Sequence, residues 1–211
     1  MDEKRLELQS ALKFIENIDA LKHTYRKCLI MSGQREESTA EHCFSLAMSV
    51  LSLSKFSNHE IDVMKTVKMA LFHDLAEALL GDTFHYEKDK NPQDTSESEA
   101  LKKLLSPISD TDFAQEIYRL WQEFEYGNSP EAVFLRGLDR FLPMFHNYKT
   151  KGHSWRKYGV SKEQALDEKG AQRRRPPNHM GPYSERNRKR EICRHTVSGW
   201  SRFLVFVNTS F

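Results

Sequence analysis

Two short stretches, Thr39-Ala40-Glu41-His42 and Phe72-His73-Asp74-Leu75-Ala76-Glu77, each set a histidine beside a carboxylate within an apolar pattern of helical period, and Asp139 stands in a third such pattern. Imidazole and carboxylate ligands together suit borderline divalent ions, and about four of them leave coordination positions open for water and substrate. The chemistry these residues suggest is metal-dependent hydrolysis. At 3.6 residues per turn, adjacent His73 and Asp74 diverge by roughly 100° yet can converge on one ion, and Glu77 lies on the same side of the helix as both. Asp82 emerges just past Gly81, where that helix stops. His42 and Asp139 must come from other helices, so only tertiary packing can close the site.

Each of these residues also has a plainer role. A single histidine beside an apolar stripe is commonly a core or surface histidine with one satisfied hydrogen bond, and His59, His85, His146 and His153 read that way. Cys43, next to His42, reads as a small buried thiol. Asp139 follows Leu138 and precedes Phe141 and Leu142, where an unpaired carboxylate would carry a large desolvation cost. On spacing alone, a metal site and an Asp139–Arg140 surface pairing both remain open.

The elements that must position these residues are helical nearly throughout. Leu8, Leu12, Ile15, Ile18 and Leu21 recur at three- and four-residue steps and predict a first amphipathic helix. Ser38 or Thr39 can cap a second, with His42, Leu46 and Val50 on one face. A third is expected after Asn58, with Ile61, Met64, Val67, Leu71 and Leu75 as its stripe and Gly81 as its closing glycine. The stretch 83–95 reads as a loop. Helices are expected over Glu97–Leu105, Asp112–Glu125 and Pro130–Tyr148, the last burying Leu135, Leu138, Leu142 and Phe145. No stretch alternates as a strand would, so the expected class is all-α.

The bounds fit an intracellular enzyme. A chain of 211 residues suits one domain with an appendage, and no run of about 18 apolar residues predicts a membrane span. The charged start, Met1-Asp2-Glu3-Lys4-Arg5, is not a signal peptide. Three cysteines without CxxC spacing argue against a disulfide framework or a zinc ribbon, so cytoplasm is the default. Residues 168–211 hold ten Lys/Arg against three Glu, which leaves residues 1–167 at −5 within a net charge of +2. The expected division is a catalytic domain over 1–167 and a basic tail over 168–211. That tail could attract nucleic acid electrostatically, but it reads as disordered or foreign to the fold, and nucleic acid is not an expected partner.

Taken together, His42, the His73-Asp74 doublet and Asp139 resemble the H…HD…D signature of the HD-domain metal-dependent phosphohydrolases. The stretches Met69 to Asp82, Leu138 to Pro143 and Gly152 to Arg156 are similar to the bacterial 5'-deoxynucleotidase branch, over roughly residues 10–166. The resemblance implies an HD-domain helical bundle with the metal site between helices. It implies one divalent ion (manganese, cobalt, iron, nickel or zinc) on His42, His73, Asp74 and Asp139. It further implies that Glu77 is the catalytic acid/base, that Asp82 orients the nucleophilic water or leaving group, and that Arg26, at the end of the first helix, contacts phosphate. The implied reaction releases phosphate from a deoxyribonucleoside 5'-monophosphate, and the implied assembly is a homodimer. Other substrates open to such a site are an alarmone or a cyclic nucleotide, and a different class of reading makes the chain a non-catalytic nucleic-acid-binding protein. The chain departs from the branch at 27–31, where relatives carry a tryptophan and this sequence has Lys, Cys, Leu, Ile and Met. It departs again beyond Gln164, where relatives continue with a further amphipathic helix.

Overall fold

A computed structural model describes residues 3–82 and 94–161. His85, the tail over 168–211 and nearly all of the expected loop at 83–95 lie outside the described residues. Among those described the fold is helical, as expected, with one small ribbon of two strands. The helices are α1 (Glu3–Ile18), α2 (Thr39–Leu53), α3 (Val63–Phe72), α4 (Glu77–Leu80), α5 (Asp94–Leu105), α6 (Asp112–Tyr126), α7 (Pro130–Lys149) and α8 (His153–Lys157). None is long and apolar enough to cross a membrane.

Helix starts follow local capping chemistry. Ser38 caps α2 in a reciprocal box: its hydroxyl accepts from the Glu41 N–H at 3.3 Å, and the Glu41 carboxylate accepts from the Ser38 N–H at 3.0 Å. Asp62, Thr111 and Ser129 cap α3, α6 and α7 by accepting from the N–H three residues on. The third helix, expected after Asn58, starts only at Val63, because Asp62 supplies the side-chain acceptor that caps it.

α6 divides the interior. Ile117 and Trp121 face a cluster with Phe14, Leu21, Leu101, Leu104 and Ile108, while Leu120 and Phe124 face a second with Leu46, Val50, Met69, Leu135 and Leu138. His42, Leu46 and Val50 do share the buried face of α2, and Leu135, Leu138 and Leu142 that of α7.

Four expectations are corrected. First, only the C-terminal end of the first stripe is buried, where Leu21 enters the core and Ile18 packs against it. Leu8, Leu12 and Ile15 are exposed, and the helix seats through Phe14, whose ring meets Phe113 edge-on at 6.1 Å. Second, α3 turns Met64 and Leu71 outward and buries Thr66, Met69 and Ala70, because three neighbouring helices, α2, α6 and α7, pack against it. Third, the helix does not run unbroken to Gly81. It stops at Phe72, and residues 73–76 wind more tightly, with Leu75 N–H bonding Phe72 C=O and Glu77 N–H bonding Asp74 C=O before α4 begins. Gly81 then closes α4 with φ of 78°, which suits its lack of a Cβ. Fourth, Arg26 is not on a helix. The first helix ends in a 3-10 turn at Asp19–Lys22, and Arg26 sits on β1 (Tyr25–Leu29), paired antiparallel with β2 (Glu36–Ser38). Tyr25 pairs with Ser38 and Leu29 with Glu36, so four steps on β1 face two on β2 and the strand bulges at Arg26 to Cys28.

Because the box at Ser38 fixes the start of the helix that carries His42, Ser38→Ala is expected to lower unfolding free energy by about 1 kcal/mol. Urea denaturation should show this as a reduced midpoint at unchanged slope.

Candidate metal centre

Four of the residues singled out by type and spacing meet at one point. His42 comes from the first turn of α2, His73 and Asp74 from the tight turn after α3, and Asp139 from the middle of α7. His42 Nε2 lies 2.9 Å from Asp139 Oδ1 and 3.8 Å from Asp74 Oδ2. His73 Nε2 lies 3.0 Å from Asp74 Oδ2 and 3.7 Å from Asp139 Oδ1. Ligand atoms held about 2.1 Å from one ion stand roughly 3.0–3.5 Å apart, so this spread is that of a coordination shell. His73 Nε2 is moreover buried without a hydrogen bond, although two carboxylates face it. Two neutral imidazoles and two carboxylates fit a divalent ion in charge as in spacing.

The local backbone makes this possible. The tightened turn at 73–76 presents His73 and Asp74 together, and His73 is oriented by its Nδ1–H, which donates to the Ala70 carbonyl at 2.9 Å. Its ring also packs edge-on against Phe124 at 5.0 Å. In α7, Pro143 stands four residues past Asp139 and has no N–H, so the Asp139 carbonyl receives no helical hydrogen bond from that position.

Around the four stand the other expected residues. Arg26 Nη1 is 3.1 Å from Asp74 Oδ2 and 3.6 Å from Asp82 Oδ1, while its buried Nε has no partner. Thr39 donates its hydroxyl proton to Glu77 Oε2 at 2.8 Å. The bulge in β1 is what aims Arg26 inward, and Gly81 delivers Asp82 to the same place.

Charge is concentrated here, and protonation follows position. Burial raises Asp139, but the hydrogen bond with His42 and the nearby His73 ring outweigh it and hold the carboxyl well below its usual range. Burial likewise raises Asp74, yet His73 and then Arg26 bring it to about 2. Burial pulls His73 down, but the charge of Asp74 and the nearby Asp139 carboxylate prevail and push it above its usual value. His42 is lowered by burial and then by Arg26. Glu77 is pushed up to about 9, by burial first and then by the charge of Asp74. Asp82 is raised by burial against the opposing pull of Arg26. Asp74 and Asp139 both face His73 Nε2, so the cluster favours positive charge at the point where these ligand atoms meet.

Three residues near the site were not expected there. Cys43 places its sulfur within 4.8 Å of the ligand atoms of His73 and Asp74, although as a thiol raised by burial it remains the small buried group its neighbours suggested. Thr39 was visible only as part of a helix cap. Glu37 is buried beside His42, which nothing in the charged run Arg35-Glu36-Glu37 signals. His146 is buried, donates Nδ1–H to the Leu29 carbonyl at 3.0 Å and takes no part in the four-ligand cluster. The Asp139 carboxylate turns its Oδ1 to the two histidines.

Comparison with known proteins agrees with this geometry. A family model described as HD domain matches residues 18–177. The chain belongs to the HD-domain family. Within it, 5'-deoxynucleotidase HDDC2 of Dictyostelium discoideum is 32% identical over 149 residues, covering 67% of this chain and 78% of that protein. The human protein of the same name is 29% identical, covering 63% of this chain and 64% of its own, so the chain spans just under two thirds of that relative. A solved structure from Magnetospirillum magnetotacticum MS-1, described as a predicted metal-dependent phosphohydrolase, superposes with a TM-score of 0.71 at 30% identity and covers 78% of this chain and 82% of that one.

A raised carboxyl has a consequence for stability. Glu77 has an ordinary value of 4.5 and is held near 9 in the folded chain. Its contribution is therefore fully present below pH 4.5 and is lost as pH rises toward 9. In metal-stripped protein, Glu77→Gln, which stays neutral, is expected to gain thermal stability relative to the parent as pH rises from 5 to 9. Paired melting curves at the two ends of that range measure the gain.

Proposed function

We propose that this chain is a metal-dependent 5'-deoxynucleotidase, releasing phosphate from deoxyribonucleoside 5'-monophosphates. The observation that carries the reading is the convergence of His42, His73, Asp74 and Asp139 with Glu77, Arg26 and Asp82 in one cluster. The curated relatives named 5'-deoxynucleotidase support the choice of substrate. The catalytic unit is residues 1–167, and 168–211 form an appended basic tail with no part in the chemistry. The setting is the cytoplasm.

His42, His73, Asp74 and Asp139 would hold one divalent ion, with manganese, cobalt, iron, nickel and zinc all compatible with two imidazoles and two carboxylates. Such an ion, when bound, supplies an activated water and offsets phosphate charge. The remaining work falls to the chain's own groups. Arg26 offers a planar fork that can grip two phosphate oxygens, which a lysine would do less specifically. In the absence of phosphate its charge is balanced by Asp74 and Asp82. Glu77 holds a proton through neutral pH and is steadied by Thr39, so it is placed to protonate the leaving 5'-oxygen. Asp82 fixes Arg26 from the other side and orients the water or leaving group.

The active assembly is a homodimer. Its support is the apolar surface of the α2–α3 pair, where Phe44, Met48, Leu51 and Met64 are all exposed at 48% or more.

Two measurements test these readings. Metal-stripped protein supplied with manganese or cobalt should release phosphate from deoxynucleoside 5'-monophosphates in preference to ribonucleotides, and Glu77→Gln should lower the rate by about 10²–10⁴-fold. Absence of release with every metal, from folded protein, would sink the nucleotidase reading. For the assembly, light scattering should give twice the chain mass, and Phe44→Glu should halve it; a parent chain that runs as a monomer ends that proposal.

A further inference from the structure

His42 uses one ring nitrogen in the cluster and leaves the other in need of a partner. Its Nε2 is 2.9 Å from Asp139 Oδ1, among the ligand atoms. Its Nδ1 is buried and makes no hydrogen bond, with the side chain 0% exposed. The group that faces Nδ1 is Glu37 on β2, whose Oε2 lies 3.9 Å away.

Glu37 is itself only 2% exposed and is approached from two other directions. Cys28 on β1 donates its thiol proton to Oε2 at 3.5 Å. His146 on α7 brings Nε2 to 3.8 Å from Oε1. Because a carbonyl only accepts, the Nδ1 of His146 that meets Leu29 C=O must carry its proton, which fixes the ring beside the carboxylate. The carboxylate is thus pinned between the ribbon and α7 with one oxygen directed at the vacant edge of His42.

We propose that Glu37 is a positioning residue for His42: it accepts the Nδ1–H of that imidazole, so that the lone pair on Nε2 is the one presented to the ion. The inference rests on the metal reading of His42 and extends it by one layer. A neutral imidazole has one N–H and one lone pair, and which nitrogen holds which is set by the partner of the N–H. Without an acceptor at Nδ1, a buried donor is left unmade and the competing tautomer, which has no lone pair at Nε2, gains ground. The gap of 3.9 Å exceeds a hydrogen bond, and a relative shift of about 1 Å closes it.

One competing use of the same residues is a second ion site, since the ligand atoms of Cys28, Glu37 and His146 lie within 4.8 Å of one another. The structure favours the acceptor role. Burial, and then the charge of Glu37, hold the Cys28 thiol up to about 12, so it stands as a donor to the carboxylate and not as a thiolate sharing an ion with it.

The test uses the full chain, labelled with ¹⁵N-histidine and loaded with Zn²⁺, which is diamagnetic. His42 should show a proton on Nδ1, shifted downfield by its carboxylate partner, and a zinc-bound Nε2. In Glu37→Gln that proton signal should move upfield and exchange faster, and chelator competition should show zinc held roughly 10–100-fold more weakly. The melting temperature of the metal-stripped variant should stay near that of the parent, which separates positioning from general damage. If Glu37→Gln does not fold, Glu37→Asp, which withdraws the carboxylate by one methylene, is read in the same way. An unchanged zinc affinity with an unchanged His42 spectrum overturns the proposal and leaves the metal reading intact. Two zinc ions per chain, the second lost in Glu37→Gln and in Cys28→Ser, overturns it in favour of the second site. A parent chain whose His42 does not bind zinc overturns both readings.

Discussion

The constraint on which this fold depends is the cost of burying like charge. Asp74, Asp139, Asp82 and Glu77 share one region of low exposure, and four ionised carboxylates cannot coexist there without cations. The chain meets this with Arg26 against Asp74 and Asp82, with His73 facing Asp74 and Asp139, and with a Glu77 carboxyl that burial and Asp74 push toward its neutral form. Each compensation requires a specific piece of backbone: the bulge in β1 for Arg26, the tight turn at 73–76 for His73 and Asp74, the positive φ of Gly81 for Asp82. The site is therefore unstable as a set of isolated side chains and is held by packing paid for elsewhere, chiefly the apolar faces of α2, α6 and α7.

How much of this could be read from the sequence divides along physical lines. That His42, His73, Asp74 and Asp139 belong together was suggested by residue type and by the family resemblance, spacing alone having left plainer roles open, and the structure does bring the four side chains to one point. The helices α2, α6 and α7 were legible too, since each has a side-chain cap and a periodic stripe. Periodicity misled where solvent, not a neighbour, covers the stripe: Leu8, Leu12 and Ile15 on α1, and Met64 and Leu71 on α3, have the right spacing and the wrong face. The two-stranded ribbon was not legible. Five residues facing three, with Arg and Lys in the bulge, leave no alternation to detect. For the same reason Arg26 was placed on the wrong kind of element, although its proximity to the site was anticipated.

The break between α3 and α4 was hidden for a different reason. Phe72 to Leu80 is composed of good helix formers, and nothing local says that residues 73–76 should tighten. What decides it is tertiary: His73 must reach Asp139 and His42 while Leu75 and Ala76 enter the cluster around Trp121. Glu37 is the corresponding case for a side chain. Beside Arg35 and Glu36 it looks like surface, and only the pairing of β1 with β2 shows it turned inward toward two histidines and a thiol.

α6 carries a consequence of another kind. Ile117 and Trp121 on one side, and Leu120 and Phe124 on the other, make this single helix the common wall of both apolar clusters. Neither cluster can loosen without exposing a face of the helix that supports its neighbour, so the two halves of the interior cannot act as separate cooperative units. Phe124 also buttresses the ring of His73. A void opened on the Trp121 side thus reaches, through one turn of the same helix, the side chain that backs His73.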